Sequence, residues 1–154
     1  MTLSTYSIGL AVHEDMAALV ELLQVLFAIE QDFEPVPEVQ WRGLDMLLMR
    51  PETACIMVAR HPHDGVVGMA SAQLVVSTAS GGYSAWVEDV VVAQAHRGHG
   101  LARALLDALG GWAEQSGARR MQLLADADNP PALAMYDRLG WRPTRLFAWR
   151  RTPD

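Results

Sequence analysis

Apolar positions recur along this chain with two different periods, and the change of period marks its elements. Residues 6–12 (YSIGLAV) read as a strand. His13 and Glu14 then lead into apolar residues at Met16, Leu19, Val20, Leu23 and Phe27, the spacing of one helix face. That pattern ends in EQDFEPVPE, where Pro35 and Pro37 break it, and a second short helix is expected over about 38–49, with Val39, Trp41, Leu44, Leu47 and Leu48 before Pro51. The middle of the chain loses the helical period. CIMVA, GVVGMASAQLVV and YSAWVEDVVV are rich in branched apolar residues and are punctuated by HPHDG and STASGG, as strands of an antiparallel meander would be. Helical spacing returns over about 100–115 with Leu101, Leu105, Leu109 and Trp112 on one face, and Gly117 ends it. RRMQLLAD predicts a strand. Asn129, with prolines in the following first turn, predicts the start of a helix over 130–139 that Gly140 closes. WRPTRLFAWRR predicts one or two final strand segments.

The resulting order is β-α-α-β-β-β-α-β-α-β, an α/β fold in which a mixed central sheet has helices covering both faces. Only the strand–helix–strand unit around residues 86–126 demands a parallel crossover. No internal repeat or linker interrupts the 154 residues, so one domain over 1–154 is expected. Apolar residues make up 51% and charged residues 19%, a globular composition. The formal net charge of −6 gives no electrostatic footprint for nucleic acid and suits a cationic small molecule. Cys55, the single cysteine, lies in an apolar run and reads as a buried structural thiol. The N-terminal residues lack the basic and apolar regions of a signal peptide, and no stretch has the apolar length of a membrane span. A cytoplasmic protein with no membrane partner is expected.

The chemistry concentrates in AHRGHGLARALL, residues 95–106. After the strand ending at Val92 the chain enters a helix whose first amides have no internal acceptor, and those amides with the helix dipole suit an anion. Gly98 and Gly100 give the backbone unusual torsions and close access, while Arg97 and Arg103 add guanidinium charge suited to phosphate. A basic turn between strand and helix would also account for these residues. No Gly-Lys-Ser/Thr follows, as a Walker loop requires, and the GxGxxG of a dinucleotide site is absent.

Arg97-x-x-Gly100-x-Ala102 after a strand resembles the acyl-CoA pyrophosphate loop of the GNAT superfamily of N-acetyltransferases. Downstream, N129-P-P-A132-L-A-M-Y136-D-R-L-G140-W141 is similar to that family's second signature. The match covers about residues 83–142, and the first 80 residues agree only in the order of their elements.

The resemblance implies acetyl-CoA as co-substrate, without a metal. Arg97, Gly98, His99, Gly100, Leu101, Ala102 and Arg103 would hold its pyrophosphate, and the main chain of Val90, Val91 and Val92 would line its pantetheine arm. The two parallel strands, 86–92 and 121–126, would splay at their C-terminal ends to admit that arm. An amide near Val90 would polarise the thioester carbonyl. Tyr136 would protonate the departing thiolate; an amphipathic-helix aromatic is the ordinary alternative. Asn129 would cap its helix, touch the cofactor, or both. His96 and His99 do not make a metal site without a third convergent ligand.

The acceptor amine must lose a proton, and Glu88 and Asp89 are the adjacent carboxylates. Strand alternation sends them to opposite faces unless a bulge intervenes. The resemblance makes Glu88 the first choice of base and Asp89 the second; pairing with an arginine is the other use of either. Glu30, Asp32 and Glu34, beside Phe27 and Phe33, lie where the first two helices meet. They suit a cationic amine with an apolar body, or form a solvated helix end. The reaction implied is direct acetyl transfer to a primary amine in a ternary complex. The acceptor is a small molecule or a protein N-terminus or lysine, and a non-catalytic acyl-CoA-binding module is the competing class. Fold analogy allows a homodimer, for which Phe147 and Trp149 could supply a facing strand.

Overall fold

The computed structural model describes residues 2–154, which divide into two compact units meeting in sequence between Leu123 and Leu124. The larger unit carries a five-stranded sheet in the spatial order of the sequence: β1 (Ser7–Leu10), β2 (Ala54–His61), β3 (Gly65–Ser77), β4 (Gly82–Val92) and β5 (Ala118–Leu123). The pairs β1–β2, β2–β3 and β3–β4 are antiparallel, and β4–β5 is parallel, joined by the crossover helix.

Two helices, α1 (Met16–Ile29) and α2 (Pro37–Leu48), connect β1 to β2. Pro37 opens α2, because a first helical residue needs no amide proton. Met16, Leu19, Val20, Leu22 and Leu23 of α1 and Leu44 of α2 pack on Ile56, Val58, Met69 and Val91 of the sheet. The opposite sheet face belongs to α3 (Leu101–Gln115): a Cβ built on Gly68 would lie 3.4 Å from Leu105 Cδ1. Covered on both sides, residues 67–72 of β3 are continuously buried. The buried carboxylate of Asp15 ties the start of α1 to β2. It accepts from Arg60 Nη1 at 2.6 Å and Nη2 at 2.7 Å, and from the Val12 amide at 2.8 Å.

The smaller unit holds α4 (Pro130–Arg138), where Asn129 Oδ1 accepts from the Ala132 amide at 3.3 Å as the expected N-cap. The final strand expected over 141–151 does not form, and residues 141–154 adopt neither helix nor strand. A strand exists only through its ladder, and here a proline and four arginines (Arg142, Arg145, Arg150, Arg151) dilute the alternating apolar residues. The strand expected from RRMQLLAD is shorter too: β5 stops at Leu123, not at residue 126. Among the described residues no helix is long and apolar enough to cross a membrane.

Candidate active site

The central irregularity of the sheet lies in β4. Ser71 pairs with Glu88 and Met69 with Val91, so Asp89 and Val90 together oppose Ala70. This is a β-bulge, and Asp89 takes its left-handed position at φ 57°, the one non-glycine residue with positive φ among those described. Aspartate and asparagine tolerate that region better than most side chains.

The bulge breaks the alternation that would send Glu88 and Asp89 to opposite faces. Both carboxylates line one cleft of about 580 Å³ between the α1–α2 pair and the middle strands. Their surroundings differ. Glu88 is exposed and accepts a hydrogen bond from Trp86 Nε1 at 2.8 Å. Asp89 is partly buried, and burial pushes its carboxyl up to about 7; the charges of Glu88 and Glu30 act in the same direction. A hydrogen bond from Ser71 opposes the shift. Ser71 Oγ lies 3.3 Å from Asp89 Oδ2 and 3.1 Å from Glu88 O, one proton serving two acceptors.

Phe27, Asp32, Phe33 and Glu34 line the same cleft, with the two phenyl rings 5.3 Å apart between centroids. Glu30, at the C-cap of α1, does not line it but bears on Asp89 through its charge. The apolar period of α2 suggests core filling alone. In the structure Val39, Gln40, Gly43 and Met46 form a wall of the cleft, joined by Gln73 and Arg50. The sequence signal for this wall is slight, because Gln40 and Gly43 sit among Glu38, Arg42 and Asp45 on a helix with apolar residues at core spacing.

Past the bulge, Val91 enters the α1–α2 core, while Val90 and Val92 stay partly accessible. The β4–β5 ladder ends at Val87–Leu123, so Glu88–Val92 run on beyond the last parallel pair. The chain then makes a 3₁₀ turn at Gln94–His96 and enters the glycine loop. Gly98 and Gly100 adopt φ 79° and 77°, and nothing lies within 4 Å of a Cβ built on either. Their conformation demands glycine, and the space beside them is open. No side chain caps α3, and its first internal bond is donated by Ala104 to Gly100 O at 3.1 Å. The amides of Leu101, Ala102 and Arg103 therefore have no acceptor within the helix. An uncapped helix N-terminus beside open glycines fits a pyrophosphate.

Arg97 is exposed, with Nε donating to Val92 O at 3.0 Å, which braces the loop. Arg103 sits 3.6 Å from Asp107 on the helix surface. His99 donates from Nδ1 to His96 O at 3.1 Å. Leu101 is buried and anchors the first turn of α3 to the core. Within the smaller unit, Tyr136 stacks edge-on against Trp141 at 6.0 Å, and its carbonyl accepts from the Trp141 amide. Cys55 is buried, and burial pushes its thiol up to about 12, which removes it as a nucleophile. Among the described residues no group of three or more His, Cys, Asp or Glu side chains is arranged to hold a metal ion.

The model of the acetyltransferase (GNAT) family matches residues 16–141. An uncharacterised N-acetyltransferase of Bacillus subtilis, YobR, is 36% identical over 64 residues, 42% of this chain and 26% of that protein. A streptothricin acetyltransferase of Streptomyces lavendulae is 38% identical over 64 residues, 38% of this chain and 34% of that protein. The matched stretches thus span about a quarter to a third of these curated relatives. A possible acetyltransferase from Clostridium difficile shares the fold, with a TM-score of 0.84 at 18% identity over 97% of this chain and 99% of that one.

Proposed function

Because the chain belongs to the acetyltransferase (GNAT) family, we propose that it transfers an acetyl group from acetyl-CoA to a primary amine of a cationic acceptor. The observation that carries this reading is the β4 bulge, which brings Asp89 and Glu88 into one cleft with two phenylalanines and further carboxylates, where burial raises Asp89 to about 7. A base with that value is half ionised near neutral pH and takes up a proton readily. Asp89, in place of Glu88, is therefore the residue that receives the proton of the acceptor ammonium. Glu88, exposed and held by Trp86, attracts the cation.

The residues that would hold acetyl-CoA are the main chain of Val90 and Val92, the loop from Arg97 to Gly100, and the amides of Leu101–Arg103. Bound there, acetyl-CoA supplies an activated thioester. Tyr136 is the proposed donor of the proton that the departing sulfur needs, and Asn129 serves as the cap of α4. The overall reaction forms one C–N bond and breaks one C–S bond. Residues 1–154 are read as one N-acetyltransferase domain, supported by a family match that runs through the boundary at Leu123. The streptothricin acetyltransferase among its relatives supports a small-molecule acceptor over a peptide.

Thiol release from acetyl-CoA, measured across a panel of mono-, di- and polyamines and aminoglycoside-like amines, tests the proposal. Turnover should favour acceptors with two or more positive charges and fall in Asp89→Asn and Tyr136→Phe. Binding of acetyl-CoA with no turnover on any amine would instead favour a binding module, and failure to bind it would overturn the reading.

A further inference from the structure

Of the five histidines, all but His13 gather around Tyr6 in a cluster that does not line the carboxylate cleft and that the proposed reaction does not use. His61 ends β2, His63 and Asp64 form the turn into β3, and His96 and His99 flank Arg97 and Gly98. Tyr6, just before β1, packs its ring against His61, His96 and His99 at centroid distances of 5.4, 5.7 and 6.0 Å. Tyr6, His61 and His96 are all buried, although imidazoles and phenols ordinarily keep a polar edge in water.

Polar contacts link these side chains in one chain, and the Asp64 amide also donates to His61 Nδ1 at 3.3 Å. Tyr6 Oη lies 3.0 Å from His96 Nδ1, and His96 Nε2 lies 3.3 Å from Asp64 Oδ2. The same oxygen lies 2.8 Å from His61 Nδ1. Both ring nitrogens of His96 thus face a polar partner, Nδ1 the Tyr6 hydroxyl and Nε2 the Asp64 carboxylate. His96 is thereby fixed from two directions, by the start of β1 and by the β2–β3 turn. Its carbonyl in turn holds the His99 ring.

The segment just after His96 is the one that most needs fixing. Two glycines at positive φ give residues 97–100 more unfolded-like freedom than any other loop-forming choice, and ordering them on ligand binding would cost affinity. We propose that the Tyr6–His96–Asp64–His61 chain is the positioning device of the pyrophosphate loop, which sets its amides for the ligand before the ligand arrives. The inference rests on the reading of residues 97–103 as that loop. It assigns Tyr6 and His96 to affinity for CoA and leaves the chemistry to the carboxylate cleft.

The test is calorimetric binding of CoA alone, beside steady-state kinetics with acetyl-CoA, for Tyr6→Phe, His96→Ala, His96→Gln and Gly100→Val. Circular dichroism at the assay temperature confirms that each is folded. Tyr6→Phe, which removes the hydroxyl bonded to His96, should weaken CoA about 5-fold. His96→Ala should weaken it about 30-fold with kcat within about 2-fold of wild type, since a KM-only effect marks lost binding. His96→Gln keeps a donor for Asp64 and should recover most of the loss. Normal CoA binding by both Tyr6→Phe and His96→Ala, with binding lost in Gly100→Val, would overturn the inference while leaving the loop reading intact. A kcat loss as large as the affinity loss, unrescued by glutamine, would also overturn it, as a general structural defect. Unimpaired CoA binding by Gly100→Val, or none by wild type, would instead remove the loop reading itself.

Discussion

Asp89 holds a backbone conformation that few side chains accept, and burial raises its carboxyl to about 7, well above the ordinary aspartate range. Both properties trace to one extra residue in β4. Asparagine suits the same torsion and still accepts from Ser71, so Asp89→Asn isolates the charge. Its kcat/KM for the amine should fall about 10²- to 10⁴-fold, the range of a general base. The wild-type rise in kcat/KM with pH through about 7 should disappear with it. Stability should move oppositely. A carboxyl raised from 3.8 unfolded to about 7 folded binds its proton more tightly in the native state, so wild-type stability declines as pH rises through that window. Thermal melts should show Asp89→Asn as the more stable protein at pH 8, with the gap closing near pH 4. Cys55 makes the contrasting case: buried and raised to about 12, it should be replaceable by alanine with kcat unchanged, measured by the same thiol-release assay.

At the scale of elements, the β4–loop–α3 unit turns a sheet into a candidate cofactor site. The strand outruns its parallel neighbour, the glycines reverse the chain, and the buried Leu101, Leu105 and Leu109 clamp the uncapped helix end in place. A Cβ on Gly100 meets no atom within 4 Å, so the strain of an alanine there comes from its torsion alone. Gly100→Ala should cost about 1–2 kcal/mol of stability by chemical denaturation. It should also raise the Kd for CoA. Leu105→Ala empties a fully buried position against β3 and should cost about 2–5 kcal/mol, enough to threaten folding before it touches chemistry.

Over the whole molecule the net charge of −6 becomes informative only once its location is known. Asp32, Glu34, Glu88 and Asp89 line one cleft with Glu30 acting on it, while Arg50 is the one basic residue of its lining among the described residues. The combined Glu30→Gln, Asp32→Asn and Glu34→Gln variant should raise the KM of a dicationic acceptor and leave the Kd of CoA unchanged. The wild-type KM should itself rise with ionic strength, since exposed charges are screened within about 10 Å at 0.1 M salt.

The elements and most of their limits are legible in the chain's local pattern. Helical spacing marks α1, α2 and α3, branched apolar runs mark β2 to β4, and Asn129 with its prolines marks the start of α4. The loop is legible in part: an arginine and two glycines ahead of a helix mark a turn with free amides, and only the second motif over 129–141 sets it apart from an ordinary basic turn. These features depend on residues a few positions apart. Three others depend on the folded chain. Whether Glu88 and Asp89 share a face is set by β3 pairing with β4 one residue out of step. Whether residues 141–151 form a strand is set by a ladder that the segment cannot supply for itself. That Tyr6, His61 and His96 meet, with Tyr6 and His96 90 positions apart in sequence, is decided by the folded chain. Local pattern fixes local geometry; the environment of a titratable group is set by whichever distant segments close around it.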